Sequence, residues 1–262
     1  MTRLACVVVA LLGVVTAGCG SPEPPTTPSP SPPPVELTVL APPSLAGAFQ
    51  EIASDFQTLN AGIRVTLSFG PSDDLAVQIQ GGATADVFAS ISTRWMNLVE
   101  LTPGITDRAD IAQNEMIVVT PLDNPAAIES VEDLATPGVR VVVASTGDPS
   151  GDLARRVLAR ARLAAEVFPN IVSNEVDDEA VLMRIASGEG DAGVVFASNV
   201  NGAVTPIVGV IGIPGDVNVS VTYEIAVMAT TPRADAAERF VAYVRSAGGQ
   251  ASLEAFGFIT EG

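Results

Sequence analysis

Four turns in this sequence set a serine or an aspartate between an apolar, β-type run and the start of a helical pattern. Ser44 follows Leu37–Leu40 and Pro42-Pro43, and Ser72 follows Arg64–Phe69 and Gly70-Pro71. Ser150, within Pro149-Ser150-Gly151, follows Arg140–Ala144, and Asp177-Asp178 precede a helix that ends at Ser187-Gly188. A helix start presents unpaired backbone N–H groups and the positive end of the peptide dipoles, so each turn is a potential anion site. Serine hydroxyls there add donors without adding charge. The same residue types are also the expected N-caps, a role that needs no ligand. Helix starts at the carboxyl ends of parallel strands are nevertheless where open α/β sheets take their ligands.

Composition narrows the chemistry further. The 262 residues include no histidine, and all 13 cations are arginine. Imidazole catalysis, Ser-His-Asp and Cys-His constellations, Schiff bases, a P-loop lysine and nearly all the usual transition-metal sites are thereby excluded. Thirty carboxylates leave a net charge of −17, the wrong sign for binding nucleic acid. Asp73-Asp74 are adjacent and diverge on a helix, which fits pairing with a first-turn dipole better than acid–base or metal work. A carboxylate-dependent hydrolase built on Asp148 and Asp178 stays open, although no paired motif marks it. Arg155, Arg156, Arg160 and Arg162 read as a solvated helix face or a docking contact for a transporter. Trp95 and Met96, at helical spacing from Leu98 and Val99, read as core.

The elements that must position these residues alternate. Strand candidates are Leu37–Leu40, Arg64–Phe69, Val87–Ser90, Met116–Thr120, Arg140–Ala144, Ala192–Ala197, Ile207–Ile211 and Tyr223–Ala229, with helical patterns between them. The clearest helix carries Leu45, Phe49, Ile52, Phe56 and Leu59 on one face. Such alternation predicts an α/β fold of mostly parallel, mixed sheets with helices on both faces. At roughly 150 residues per domain, the length fits one large domain or two lobes. Aromatics make up only 5%, so Val, Ile, Leu and Ala must fill the core. No Gly-x-Gly-x-x-Gly run marks a dinucleotide fold.

The N-terminus reads as a targeting segment. Arg3 precedes an apolar run from Leu4 to Val15, too short for a membrane span but suited to a signal peptide over 1–18. Thr16-Ala17-Gly18-Cys19 resembles a bacterial lipobox, which implies lipidation of Cys19; an ordinary secretory signal is the alternative. Cys6 lies in the segment that is removed, so the mature chain has no partner for an internal disulfide. Ser21 to Pro34 contains eight prolines in fourteen residues. At about 3.1 Å per residue in polyproline II, these fourteen residues could extend about 40 Å, within a tether over 19–35 that holds the domain off a membrane surface.

Several motifs, in order, resemble bacterial molybdate-binding proteins of ABC importers. They are Leu37-Thr38-Val39-Leu40-Ala41-Pro42-Pro43-Ser44-Leu45; Leu67-Ser68-Phe69-Gly70-Pro71-Ser72; Gly81-Gly82-Ala83-Thr84-Ala85-Asp86-Val87-Phe88-Ala89-Ser90; the stretch from Ser187 to Ser198; and Phe256-Gly257-Phe258. The resemblance spans about residues 37 to 260. It implies a two-lobed periplasmic-binding-protein type II fold, with lobe one at 36–114 and 222–262, lobe two at 115–221, and a tetrahedral oxyanion between them. The family's ligand positions fall on Ser44, Ser72, Ser150, Asp178 and Phe196. Two of these depart from the family pattern. Asp178 stands where valine is common and must turn its carboxylate away, as an N-cap does; Phe196 replaces a tyrosine and loses its hydroxyl, a donor that water, Ser198 or Asn199 could replace.

The resemblance thus implies a solute-binding lipoprotein on the extracytoplasmic face of the bacterial cell membrane, anchored through Cys19. It is expected to be a monomer without catalysis, cofactor, nucleic acid partner or directly ligated metal. It would hand molybdate or tungstate to an ABC permease. Sulfate or another small anion is the near alternative, and a homologue that has lost its ligand is another. Tyr223 and Tyr243 are the only tyrosines, which argues against a tyrosine-ligated iron carrier. Uncharged donors suffice energetically. Desolvating a dianion costs many kcal/mol, but each charge-assisted hydrogen bond returns about 1.5–3 kcal/mol and a helix end up to about 2 kcal/mol. Several together reach the roughly 8–12 kcal/mol of micromolar to nanomolar binding.

Overall fold

The computed structural model describes residues 34–200 and 207–260. The predicted signal segment 1–18, the lipidation candidate Cys19 and the tether 19–35, apart from its last two residues, lie outside them. The chain opens with β1 (Val35–Ala41), α1 (Ala46–Leu59), β2 (Ile63–Phe69), α2 (Ser72–Gln80), β3 (Val87–Ser90) and α3 (Thr93–Leu101). A long β4 (Ile105–Pro121) leads to β5 (Val141–Ala144), α4 (Pro149–Arg160), α5 (Ala164–Val167), β6 (Ile171–Glu175), α6 (Asp178–Ala186), β7 (Ala192–Phe196) and β8 (Val208–Gly212). It closes with β9 (Ser220–Met228), α7 (Ala234–Val244) and α8 (Ala247–Ala255).

The strands run in the order β2-β1-β3-β9-β4-β7-β5-β6, with β8 paired to β4. β4 belongs to two sheets: Ile105–Glu115 pairs with β9, and Met116–Pro121 pairs with β7 and β8. The β1–β2, β1–β3, β5–β6 and β5–β7 pairings are parallel. Every antiparallel pairing among the described strands involves β4 or β9. The expected α/β class with helix-covered sheets is therefore what forms.

Period-two burial shows why the apolar runs become two-sided strands. In β5, Val141 and Val143 pack with Leu153, Val157 and Leu158 of α4, while Val142 and Ala144 pack with Val181, Leu182 and Ile185 of α6. Met116 and Val118 of β4 join the α4 side, Ile117 and Val119 the α6 side. Around the other sheet, α1 buries Phe49, Ile52 and Phe56 at spacings of three and four, and Phe56 meets Phe240 of α7 edge-on with centroids 5.3 Å apart. Met96 and Val99 of α3 are fully buried, with Trp95 and Leu98 packed beside them. Leu59, expected on the buried face of α1, is 69% exposed because the last turn of that helix runs past the edge of the core.

Asp86 ties the first sheet together just before β3. Its carboxylate is buried and accepts the Thr38 N–H at 2.7 Å, the Thr231 hydroxyl, and an Arg233 N–H at 3.1 Å. Asp86→Ala leaves the Thr38 amide without its acceptor and the guanidinium without its partner. A loss of about 3 kcal/mol is expected, readable as a lower urea midpoint at unchanged slope. A midpoint that does not move would remove this carboxylate from the stability of the sheet.

Candidate functional site

A cavity of about 520 Å³ opens where β1, β2, β5, β6 and β7 end, and Ser44, Ser72, Ser150, Asp178 and Phe196 all line it. The five positions singled out in the sequence are thus brought together from both sheets. Pro42, Pro43, Pro71, Pro149, Ile91, Leu182, Met183 and Ile207 supply much of the rest of the wall, and among the described residues no arginine lines it.

On the side of the first sheet, neither serine caps its helix. Ser44 sits in a single 3₁₀ turn, Pro43–Leu45, and Leu45 occupies the N-cap of α1. The Ser44 hydroxyl instead lies 2.9 Å from that of Tyr223, a fully buried residue of β9. Asn114 of β4 donates to the Tyr223 oxygen at 3.4 Å and to the Ser198 oxygen at 2.7 Å, and takes the Ser198 N–H at 3.3 Å. A polar line therefore runs from Ser44 through Tyr223 and Asn114 to Ser198 beyond β7. Burial pushes the Tyr223 phenol up to about 12, against the pull of Asn114 and Ser44, so it stays a neutral hydroxyl. Ser72 is the first residue of α2, behind Pro71, and its oxygen accepts the Ile91 N–H at 3.2 Å. Its own proton remains available for donation. The N–H groups of Ser72 and Asp73 have no acceptor within α2, and Asp73 and Asp74 lie exposed in its first turn, as the dipole reading expects.

On the other side, carboxylates occupy the donors. Asp148 is the N-cap of α4; its Oδ1 accepts the Ser150 N–H at 2.9 Å, the Gly151 N–H at 3.3 Å and the Ser150 hydroxyl at 2.7 Å. The Ser150 oxygen also lies 2.5 Å from Oδ1 of Asp178. Asp178 does not cap α6: Asp177 does, by accepting the Ala180 N–H, and Asp178 is the first helical residue. Its carboxylate does not turn away from the site as expected but is buried in it. There Oδ2 accepts the Phe196 N–H at 2.9 Å and the Asn199 amide at 2.8 Å. Burial, with a smaller push from Asp148, raises the Asp178 carboxyl to about 7, although Ser150, Phe196 and Asn199 pull it down.

Tyr223 and Asn114 escaped the sequence reading of the site, and Asn199, raised there as a replacement donor, gives its amide to Asp178. Tyr223 lies 179 residues from Ser44, and no local pattern marks such a pairing. Asp148 was legible as a cap, since Asp followed by Pro at the first helical position is a regular helix start. The arginines of α4 are partly consumed inside the fold: Arg155 donates to the Ala144 and Gly151 carbonyls at 2.8 and 2.7 Å, and Arg160 to the Asn218 carbonyl at 3.1 Å. Arg156 and Arg162 are exposed.

A family model described as a bacterial extracellular solute-binding protein matches residues 37–259. The chain is 34% identical over 253 residues to the molybdate-binding protein ModA of Mycobacterium tuberculosis, covering 96% of this chain and 95% of that protein. It superposes on the substrate-binding domain assigned to a molybdenum ABC transporter from Clostridium difficile with a TM-score of 0.77 at 25% identity, over 87% of this chain and 100% of that one. The periplasmic molybdate-binding protein of Azotobacter vinelandii shares the fold, with a TM-score of 0.73 at 21% identity over 86% of this chain and 100% of that one.

Proposed function

The chain belongs to the bacterial extracellular solute-binding proteins, within the molybdate ABC transporter family, and from that premise we propose that it carries molybdate or tungstate to an ABC permease. With lobe one at 36–114 and 222–262 and lobe two at 115–221, the anion sits between the Ser44 and Ser72 turns on one side and the Ser150 and Asp178 turns on the other. Phe196 closes the wall as an apolar surface. The metal enters as its oxyanion, so protein donors meet oxygen and no residue ligates the metal. The protein works without catalysis, at the extracytoplasmic face of the cell membrane, held there by a lipid on Cys19.

The observation that carries this reading is the convergence of serine turns from both sheets on one cavity with no cation among its described lining residues, the hydroxyls of Ser44 and Ser72 being uncommitted to capping. Closure follows from differential contact: an anion that touches both sides only when they approach shifts the equilibrium toward the closed form.

Thermal melting of the full chain against molybdate, tungstate, sulfate and phosphate tests it. At about 100 times its dissociation constant, a bound anion adds about 2.7 kcal/mol of stability. For a chain of this size that is a rise of about 5–10 °C. Replacing both Ser44→Ala and Ser72→Ala should abolish the molybdate shift. The unliganded melt should fall by only a few degrees, since the Ile91 amide and the Tyr223 hydroxyl each lose one partner. A full shift in the double variant would remove both serines from the pocket. A shift with sulfate alone would change the cargo, and none with any anion would end the proposal.

A further inference from the structure

Building on the oxyanion reading above, we propose that Asp178 makes anion binding proton-linked: the occupied site holds one proton on Asp178 beside the anion. An anion that arrives fully deprotonated must then be accompanied by a proton from solvent.

The geometry sets the proton count. The Ser150 hydroxyl has one hydrogen and two carboxylate oxygens within reach, Asp148 Oδ1 at 2.7 Å and Asp178 Oδ1 at 2.5 Å. Asp148 Oδ1 also receives the Ser150 and Gly151 N–H groups and caps α4, which fixes it as the charged acceptor of the Ser150 proton. The remaining oxygen–oxygen contact, between Ser150 and Asp178, needs a hydrogen that only Asp178 can supply. With that hydrogen, the chain Asp178 to Ser150 to Asp148 is complete, and Asp178 Oδ2 still accepts from Phe196 and Asn199.

The surroundings favour the neutral form. From α4, Asp148 faces Asp178; from β9 comes the neutral Tyr223 hydroxyl; beside it on the cavity wall stand Asp177 and Glu179. β7 and the turn after it present only the Phe196 amide, Ser198 and Asn199. Arg155 is directed to the Ala144 and Gly151 carbonyls and to Asn174, and Arg184 to Glu175 and Glu189. Among the described residues no cation compensates a charged Asp178. Burial already pushes its carboxyl up to about 7, and a dianion a few ångströms away raises its proton affinity further.

Calorimetric titration of the full chain with sodium molybdate, at about pH 6 and about pH 8.5 and in two buffers of different ionisation enthalpy, tests the linkage. Above about pH 7, affinity should fall about tenfold per pH unit, so molybdate binds about 30-fold more weakly at the higher pH. Close to one proton should be taken up per anion there. In Asp178→Asn the two affinities should agree within about twofold, with no proton uptake. Wild-type affinities that agree at both pH values, or a dependence that persists in Asp178→Asn, would overturn the proposal and leave the oxyanion reading standing. Absence of molybdate binding at either pH, in wild type and variant alike, would end both.

Discussion

Unliganded Asp178→Asn protein is expected to melt well above the wild type at pH 8, with the gap closing as the pH falls toward 4. The folded state holds the Asp178 carboxyl near 7 against an ordinary value of 3.8, chiefly because burial penalises its charge. Between those two values the native state binds more protons than the unfolded chain, so stability declines as pH rises through the window and stays low above it. Below the ordinary value both states are protonated, and the penalty vanishes. Asparagine keeps the shape: its carbonyl can accept from the Phe196 amide and its NH₂ can donate to Ser150, with no charge to desolvate. The gain at pH 8 is on the order of a few kcal/mol, or roughly 5–10 °C for a chain of this size. Scanning calorimetry at the two pH values checks it. Equal increments at both would place the gain in packing rather than ionisation.

Gly151→Ala should be as costly as that change is favourable. A Cβ at position 151 would meet the Ala144 carbonyl oxygen at 2.5 Å and its carbon at 2.7 Å, with the Ser145 carbonyl oxygen closer still. These are backbone atoms of the strand end and turn behind α4, and they cannot rotate aside. The helix must lift from β5, loosening Leu153, Ala154 and Val157 and pulling Asp148 and Ser150 out of register with Asp178. Overpacking of this kind costs about 3 kcal/mol. Urea unfolding should show the loss, and on the proposed function molybdate should bind at least tenfold more weakly, because the Ser150 turn proposed to face it has moved. Alanine tolerated within about 0.5 kcal/mol, a typical surface value, would mean that α4 has slack at its start.

The fold was legible where burial is uniform. Runs such as Val141–Ala144 and Ala192–Phe196 are apolar on both faces and announce central strands. Ile171–Glu175 was missed because it is an edge strand that alternates half-buried and exposed residues and includes Ser, Asn and Glu. The first part of β4 was missed for a related reason: Ile105–Glu115 is largely polar, carries register shifts against β9, and contains Asp107 at a φ of 47°. At the site, the turns were legible and the side-chain directions were not. Whether Asp177 or Asp178 caps α6 is a one-residue distinction that local sequence leaves open, and it decides which of the two carboxylates is buried. The partner of Ser44 is a tertiary fact, since Tyr223 comes from the far end of the chain.

β4 and β9 cross together between the two sheets, and a pair of hydrogen-bonded strands is stiff in one way and soft in another. Sliding one strand past the other would break the ladder from Ile105 to Glu115, whereas added twist leaves it intact. The ribbon joining the two sheets therefore resists shear more than torsion. Asn114 and Tyr223 sit on this ribbon, so the polar line from Ser44 to Ser198 runs through it.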